Sequence, residues 1–265
     1  MKRYTFRLLA FVVAAAASVV TLSAASPYLI AHRGGIVDDQ HAENSPGAIQ
    51  AAIGRGYWMV ELDIRRSQDG VPVVQHDRTF ERYYGDSRSV GEMTWEQISQ
   101  LRADVAGTAP MTFEQATAMC AGKIRIMLDI KGDSLPAGFY ESIEQSLRRH
   151  NLLQTTYVLG SAASKQHFRD KAVLSANTTA LQAAAERGEP VASRYILFQL
   201  GSELGAETVR WARDRGVTVV AAINTFRYEM AKQDHWKGAE RDIQKLLGMG
   251  VRYFQIDSIY GRYLK

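Results

Sequence analysis

One cysteine, Cys120, stands in 265 residues. A disulfide-stapled small module is therefore excluded, and stability has to come from a large apolar core. Cys120 itself sits in the apolar helical stretch Phe113-Glu-Gln-Ala-Thr-Ala-Met-Cys, the setting of a buried thiol without a catalytic part. Prolines number only six, and no Ser-, Gly- or charge-rich run interrupts the body, so no linker divides it. No fixed-period repeat is present, which excludes solenoids and propellers.

Charge of one sign is also scarce. The formal net charge is +4 from 32 Lys and Arg against 28 Asp and Glu. Lys2, Arg3 and Arg7 contribute three of those four charges and lie ahead of an apolar stretch from Leu8 to Leu22. The small residues Ser23, Ala24 and Ala25 follow. That layout is a secretory signal peptide over 1–25, with export to the periplasm or medium as its consequence. An uncleaved membrane anchor is the competing reading; the stretch is short for a span. The body over 26–265 keeps a net charge near +1, too little clustered cation for nucleic acid as partner.

What the body does contain is alternation. Short apolar strands are predicted at Tyr28–Ala31, Trp58–Ile64, Val71–Gln75, Lys123–Ile130, Thr156–Leu159, Ala172–Ser175, Tyr195–Leu200, Val217–Ile223 and Arg252–Ile256. Helical patterns lie between most of them, including one from Pro46 with Ser45 as N-cap, and others over Gly205–Arg215 and Gly238–Leu247. Eight or slightly more strands in roughly 240 residues predict an α/β fold, a single-domain TIM (β/α)8 barrel. An open doubly wound sheet is disfavoured because the first strand-to-helix turn lacks the Gly-x-Gly-x-x-Gly pattern.

Ionisable residues gather at predicted strand ends: His32 and Arg33, Glu61 and Asp63, His76 and Asp77, Asp129 and Lys131. In a barrel, strand C-terminal ends carry chemistry. The period of two puts Glu61 and Asp63 on one face of a strand, and Asp129 and Lys131 likewise. Convergent carboxylates need positive charge, and an oxygen-only set suits a hard divalent cation, Mg²⁺ or Ca²⁺. An ordinary salt-bridge cluster would account for Glu61 and Asp63 alone. Two histidines on the same rim can divide general-acid and general-base work. Arg33 offers a fork and Lys131 a point charge to a phosphate. Together these residues describe phosphodiester cleavage. His41, His150, His167 and His235 read as solvated. Glu43 and Asn44 precede the first helix, where acidic and capping residues are favoured.

The linked blocks Ala31-His-Arg-Gly34, Ala42-Glu-Asn-Ser45, Val60-Glu-Leu-Asp63 and Val71-Pro-Val-Val-Gln-His-Asp77 resemble the signature of the glycerophosphodiester phosphodiesterases. Leu128-Asp-Ile-Lys131 is similar to that family's Glu-x-Lys strand, and Val251 to Asp257 to its closing strand. The resemblance implies a TIM barrel with His32 and His76 as the catalytic acid/base pair and Glu61, Asp63 and Asp129 as ligands of one divalent cation. It also implies Arg33 and Lys131 as phosphate contacts, with Glu43 and Asn44 supporting the substrate site. The implied reaction releases glycerol 3-phosphate and an alcohol.

Three departures bear on substrate choice. Asp129 stands where most of the family has glutamate, a feature shared with related phospholipase D-type toxins. An Ile36-to-Ala42 insertion follows the first block. The closing strand reads Gln-Ile-Asp257-Ser-Ile. A lysophospholipase D or sphingomyelinase D-like activity is therefore the second enzyme reading, and a non-catalytic phosphodiester-binding barrel the third. Head group, native metal, oligomeric state, attacking oxygen and the division of labour between the histidines stay open.

Overall fold

The computed structural model describes residues 26–264; the segment expected to be a signal peptide lies outside them. Eleven strands occur in chain order: β1 (Tyr28–Ala31), β2 (Met59–Arg66), β3 (Pro72–Val74), β4 (Thr79–Phe80), β5 (Asp86–Ser89), β6 (Arg125–Ile130), β7 (Tyr157–Val158), β8 (Val173–Ala176), β9 (Tyr195–Leu200), β10 (Thr218–Ile223) and β11 (Tyr253–Ile256). Eight of them, β1, β2 and β6 to β11, run parallel in sequence order. β1 pairs with both β2 and β11, so the sheet closes on itself. With helices between successive staves, this is a TIM barrel, as the alternation predicts.

The third of the nine predicted strands, Val71–Gln75, is not a stave. β3 pairs antiparallel with β2, Ile64 opposite Val74. The reason is the length of the Ser67–Gly70 turn: a parallel neighbour needs a crossover of a dozen residues or more, and a tight turn permits only a hairpin. Ser67 Oγ accepts from Val71 N (2.8 Å) and donates to Asp69 Oδ1 (2.6 Å), fixing that turn. Beyond β3, the small β4–β5 hairpin packs Val73, Phe80, Val90, Met93 and Ile98 into a satellite core beside the barrel.

Two apolar layers hold the barrel. Alternate residues of β2 and β6, Val60, Leu62, Ile64, Ile126 and Leu128, face the helices, where Cys120 is also fully buried. Burial raises the Cys120 thiol to about 12, so it stays protonated and inert. Inside the barrel, Ile30, Met59, Met127, Leu159, Ile196 and Val220 fill the lower half. Trp58, Tyr157 and Tyr253 cluster with Tyr28 at the strands' N-terminal ends, Arg125 lying 4.9 Å above the Trp58 ring. These aromatics close the floor of the barrel, away from its working rim.

The helix α1 (Pro46–Gly54) starts as its sequence directs: Pro46 occupies the first turn and Ser45 Oγ accepts from Ala48 N at 3.2 Å. Among the described residues no helix is long and apolar enough to cross a membrane.

Candidate active site

Along β2, Met59 faces the barrel interior while Val60 and Leu62 pack outward. The same period aims Glu61 and Asp63 inward, each only 1% exposed. β6 brings Asp129 into register with Asp63. Carboxylate oxygens of Glu61, Asp63 and Asp129 lie within 4.8 Å of one another. Lys131 Nζ sits 2.7 Å from Asp63 Oδ1 and 2.6 Å from Asp129 Oδ2.

Burial, and then the charges of Asp63 and Asp129, push the Glu61 carboxyl well above its ordinary range. Asp63 moves the other way: burial opposes ionisation, but Lys131, His76 and the Asn44 amide outweigh it. Lys131 is raised despite its desolvation because three carboxylates surround it.

Asn44 Nδ2 donates to Asp63 Oδ2 at 2.9 Å, and the Lys131 ammonium stands 2.7 Å from Asp63 Oδ1. Three converging carboxylates share that one ammonium, so the cluster keeps an excess of negative charge that suits a metal ion. The donor set is oxygen only, which matches a hard divalent cation.

β1 ends in a tight turn over His32–Gly34, inside which Arg33 takes a left-handed conformation (φ 55°). For a non-glycine residue that costs about 1 kcal/mol or more. The strained turn points Arg33 N at Glu61 Oε2 (2.7 Å) and Arg33 O at Asn44 N (2.8 Å). Asn44 is itself left-handed (φ 53°), a conformation asparagine tolerates. Gly34 is required by this closeness, since a Cβ there would stand 2.5 Å from Asn44 Cα.

His32 is held from the far end of the chain. Its Nδ1 lies 2.6 Å from Asp257 Oδ1 and 2.8 Å from Asn224 Nδ2. Asp257 Oδ2 accepts from Thr225 N at 2.6 Å. Burial would raise the Asp257 carboxyl, but His32 and Thr225 hold it below its ordinary value.

His76 arrives by a different route. The β2–β3 hairpin carries the chain back along β2, Gln75 N donating to Asp63 O (2.9 Å). Arg65 Nε and Nη2 then clamp the His76 carbonyl at 2.9 and 2.7 Å. His76 Nδ1 lies 2.8 Å from Asp77 Oδ1. Arg82, from the inserted hairpin, donates to Asp77 Oδ2 (2.7 Å) and pairs with Glu43 Oε1. Arg33 Nη1 occupies the other Glu43 oxygen at 2.9 Å. Glu43, His76 and Asp77 could form a second metal cluster by proximity, but both Glu43 oxygens and both Asp77 oxygens already have partners. That group is an arginine-bridged network.

All eight residues singled out from the sequence, His32, Arg33, Glu43, Glu61, Asp63, His76, Asp129 and Lys131, meet at the C-terminal rim. His32, Arg33 and Glu43 also line a cleft of about 380 Å³ there. Three residues that frame the site escape the sequence reading, Asn224, Arg65 and Arg82, and Asp257, quoted there as the end of the closing strand, is given no role at the site. Asp257 and Asn224 do follow β11 and β10 directly, which is a usable signal. Arg82 lies in an aperiodic insertion and gives none. The remaining histidines are half-buried and partly solvated, and each also has a partner: His150 pairs with Glu114 (3.0 Å), His167 with Glu144 (2.9 Å), His41 with Asp38 (2.7 Å), and His235 contacts Tyr260 (3.0 Å). Each lies away from the carboxylate cluster.

Two carboxylate-held imidazoles thus stand beside a three-acid cluster at the rim of a TIM barrel. The family model described as glycerophosphoryl diester phosphodiesterase matches residues 32–236. The chain belongs to that family. It is 37% identical over 112 residues to the human "Glycerophosphodiester phosphodiesterase 1", covering 39% of this chain and 33% of that protein. The match thus spans about a third of the human relative's length. A Mycobacterium tuberculosis protein, "Probable glycerophosphodiester phosphodiesterase 2", is 26% identical over 230 residues and 84% of both chains. The solved glycerophosphoryl diester phosphodiesterase of Parabacteroides distasonis shares the fold, with a TM-score of 0.71 at 20% identity over 89% of this chain and 84% of its own.

Proposed function

We propose that this protein hydrolyses glycerophosphodiesters to glycerol 3-phosphate and an alcohol, with His32 and His76 as its proton-transfer groups. One observation carries the reading: each imidazole is braced at Nδ1 by its own carboxylate, Asp257 or Asp77, on the rim that holds Glu61, Asp63 and Asp129. With Nδ1 engaged, Nε2 is the nitrogen left to take or give a proton. One histidine removes the proton of the attacking oxygen, and the other delivers a proton to the leaving alkoxide. Family membership supports the same reaction.

Arg33 and Lys131 contribute fixed positive charge to the phosphoryl oxygens, Arg33 being oriented by Glu43. Glu61, Asp63 and Asp129 would hold one divalent cation, Mg²⁺ or Ca²⁺. When bound it supplies Lewis-acid stabilisation of phosphoryl charge. The barrel interior below, filled by Met59 and Met127, keeps water from the carboxylates' inner side.

The layout of residues 1–25 supports export, so the working enzyme in this reading is the chain from residue 26, in the periplasm or medium. N-terminal sequencing of the exported form tests that part.

The reaction is tested by incubating the protein with glycerophosphocholine and glycerophosphoethanolamine, with Mg²⁺, with Ca²⁺, and with EDTA. Release of glycerol 3-phosphate that EDTA suppresses and metal restores is the expected result. No release under any metal condition contradicts the proposal. Release of phosphate-bearing products only from lysophospholipids would transfer the activity to lipid head groups.

A further inference from the structure

The two ends of the barrel differ in charge. Seven connections lead into staves at the floor: 55–58, 121–124, 150–156, 169–172, 187–194, 215–217 and 249–252. They contain eight Lys and Arg against only Asp170 and Glu189, a net +6. Residues 26–264 as a whole carry no net charge, because Lys2, Arg3, Arg7 and Lys265 lie outside them and all 28 Asp and Glu lie inside. The rest of the described residues, the working rim included, is therefore net −6. Helices end at the floor, and the half negative charge at each C-terminus offsets about half of the excess.

One sector of the floor has no acid at all. Under the adjacent staves β11, β1, β2 and β6, about 15 Å across, the stretches 249–252, 26–28, 55–60 and 121–128 hold Arg252, Arg55, Lys123 and Arg125 and no Asp or Glu. Arg55 is shared with Asp38 at 3.7 Å, which leaves the other three for a ligand. The same sector carries the aromatic cluster: Tyr28 stacks on Tyr253 at 4.6 Å, Trp58 meets both rings, and Tyr28 remains 43% exposed. Tyr and Trp rings interleaved with Lys and Arg are the composition favoured where protein meets the head groups of a bilayer. The chain also enters at this end, since only Ser26 and Pro27 precede β1 among the described residues, and the apolar stretch Leu8–Leu22 stands just upstream in sequence.

We propose that the floor docks on an anionic phospholipid surface. Tyr28, Trp58 and Tyr253 lie at head-group level, Lys123, Arg125 and Arg252 face lipid phosphates, and the acid-rich rim is turned to the solution. Each cation at such a surface is worth about 5-fold in partitioning, so three give about 100-fold over a neutral bilayer. A second copy stacked head to tail would also match charge, but it would cover the working rim and leave an open chain of subunits.

The test is co-sedimentation of the protein from residue 26, within which the barrel closes, with vesicles of phosphatidylcholine alone and of phosphatidylcholine mixed with phosphatidylglycerol. The wild type should pellet with the mixed vesicles only, and raised salt should release it. Lys123→Glu combined with Arg252→Glu should weaken that binding by about 20-fold or more. Arg102→Glu combined with Lys237→Glu, an equal charge change on exposed residues outside the floor, should leave it within about 2-fold. Melting curves check that both variants fold, and the wild-type dependence on lipid and salt stands without them. No wild-type binding to the mixed vesicles, or equal loss in both variants, overturns the proposal. Head-to-tail oligomers in analytical ultracentrifugation that the floor variant dissolves, with its lipid binding unchanged, would overturn it as well and give the floor to a second copy.

Discussion

His32 and Asp257 lie 225 residues apart in sequence, yet the imidazole Nδ1 and a carboxylate oxygen of Asp257 stand 2.6 Å from each other. Barrel closure makes this possible, because β1 and β11 are adjacent staves, Ala31 opposite Ile256. In the proposed reaction the carboxylate holds the ring's tautomer and orientation, as an acid/base role for His32 requires.

Replacing Asp257 by Asn keeps the shape but removes the acceptor charge. We expect kcat to fall by about 100-fold or more with KM changed far less, since the lost interaction grows as the ring becomes charged. Steady-state kinetics on a glycerophosphodiester checks this; equal loss in kcat/KM through KM alone would assign Asp257 to substrate binding.

Arg82 joins Asp77 to Glu43, and through them His76 to Arg33. Arg82→Ala should lower kcat/KM by about 10-fold or more, leaving two acids without their shared partner. Arg82→Lys should restore little, because Nε and Nη2 of the guanidinium reach Asp77 and Glu43 as separate donors, and the single nitrogen on a shorter lysine stem does not span both. Full rescue by lysine, read in the same assay, would mean that only net charge matters.

Much of this architecture is readable in the chain, and its gaps have physical causes. Period-two spacing in Glu61-Leu-Asp63 and Asp129-Ile-Lys131 places the acids on the interior face because β2 and β6 are ordinary staves. Val71–Gln75 reads as a further stave since its apolar run carries no sign of direction; only the turn length shows that it folds back. Arg82 and Asp257 are invisible as partners because ion pairing across 39 and 225 residues depends on closure and on an insertion, neither of which has a local pattern. The partners of the outer histidines are hidden for a related reason: His167 is paired with Glu144 of a neighbouring helix.

Glu144 gives a pH prediction. Its burial alone would raise the carboxyl, but Lys171, Arg148 and His167 hold it down to about 2 from an ordinary 4.5. A depressed value stabilises the fold above the unfolded-state value, and that contribution is lost as pH falls through the folded one. Glu144→Gln should therefore cost about 1 kcal/mol near neutrality, and the gap to the wild type should close between about pH 4.5 and pH 2. Urea melts at several pH values measure it; a gap that persists below pH 2 would point to lost packing.

Gly34 has φ +82°, and any Cβ there meets Asn44 backbone at 2.5 Å. Gly34→Ala should destabilise by about 2 kcal/mol or more and displace Asn44 from Asp63, lowering activity as well. Thermal melts and kinetics on the purified variant report both effects.

In the proposed reaction two separately braced imidazoles transfer protons at one phosphodiester, beside three carboxylates that would hold a cation. Glycerol 3-phosphate release by wild type, His32→Ala and His76→Ala, measured side by side with saturating divalent metal, decides between this and a single-histidine reaction. Each single variant should lose about 100-fold or more in kcat while remaining folded. Retention of near wild-type turnover by either variant would contradict it.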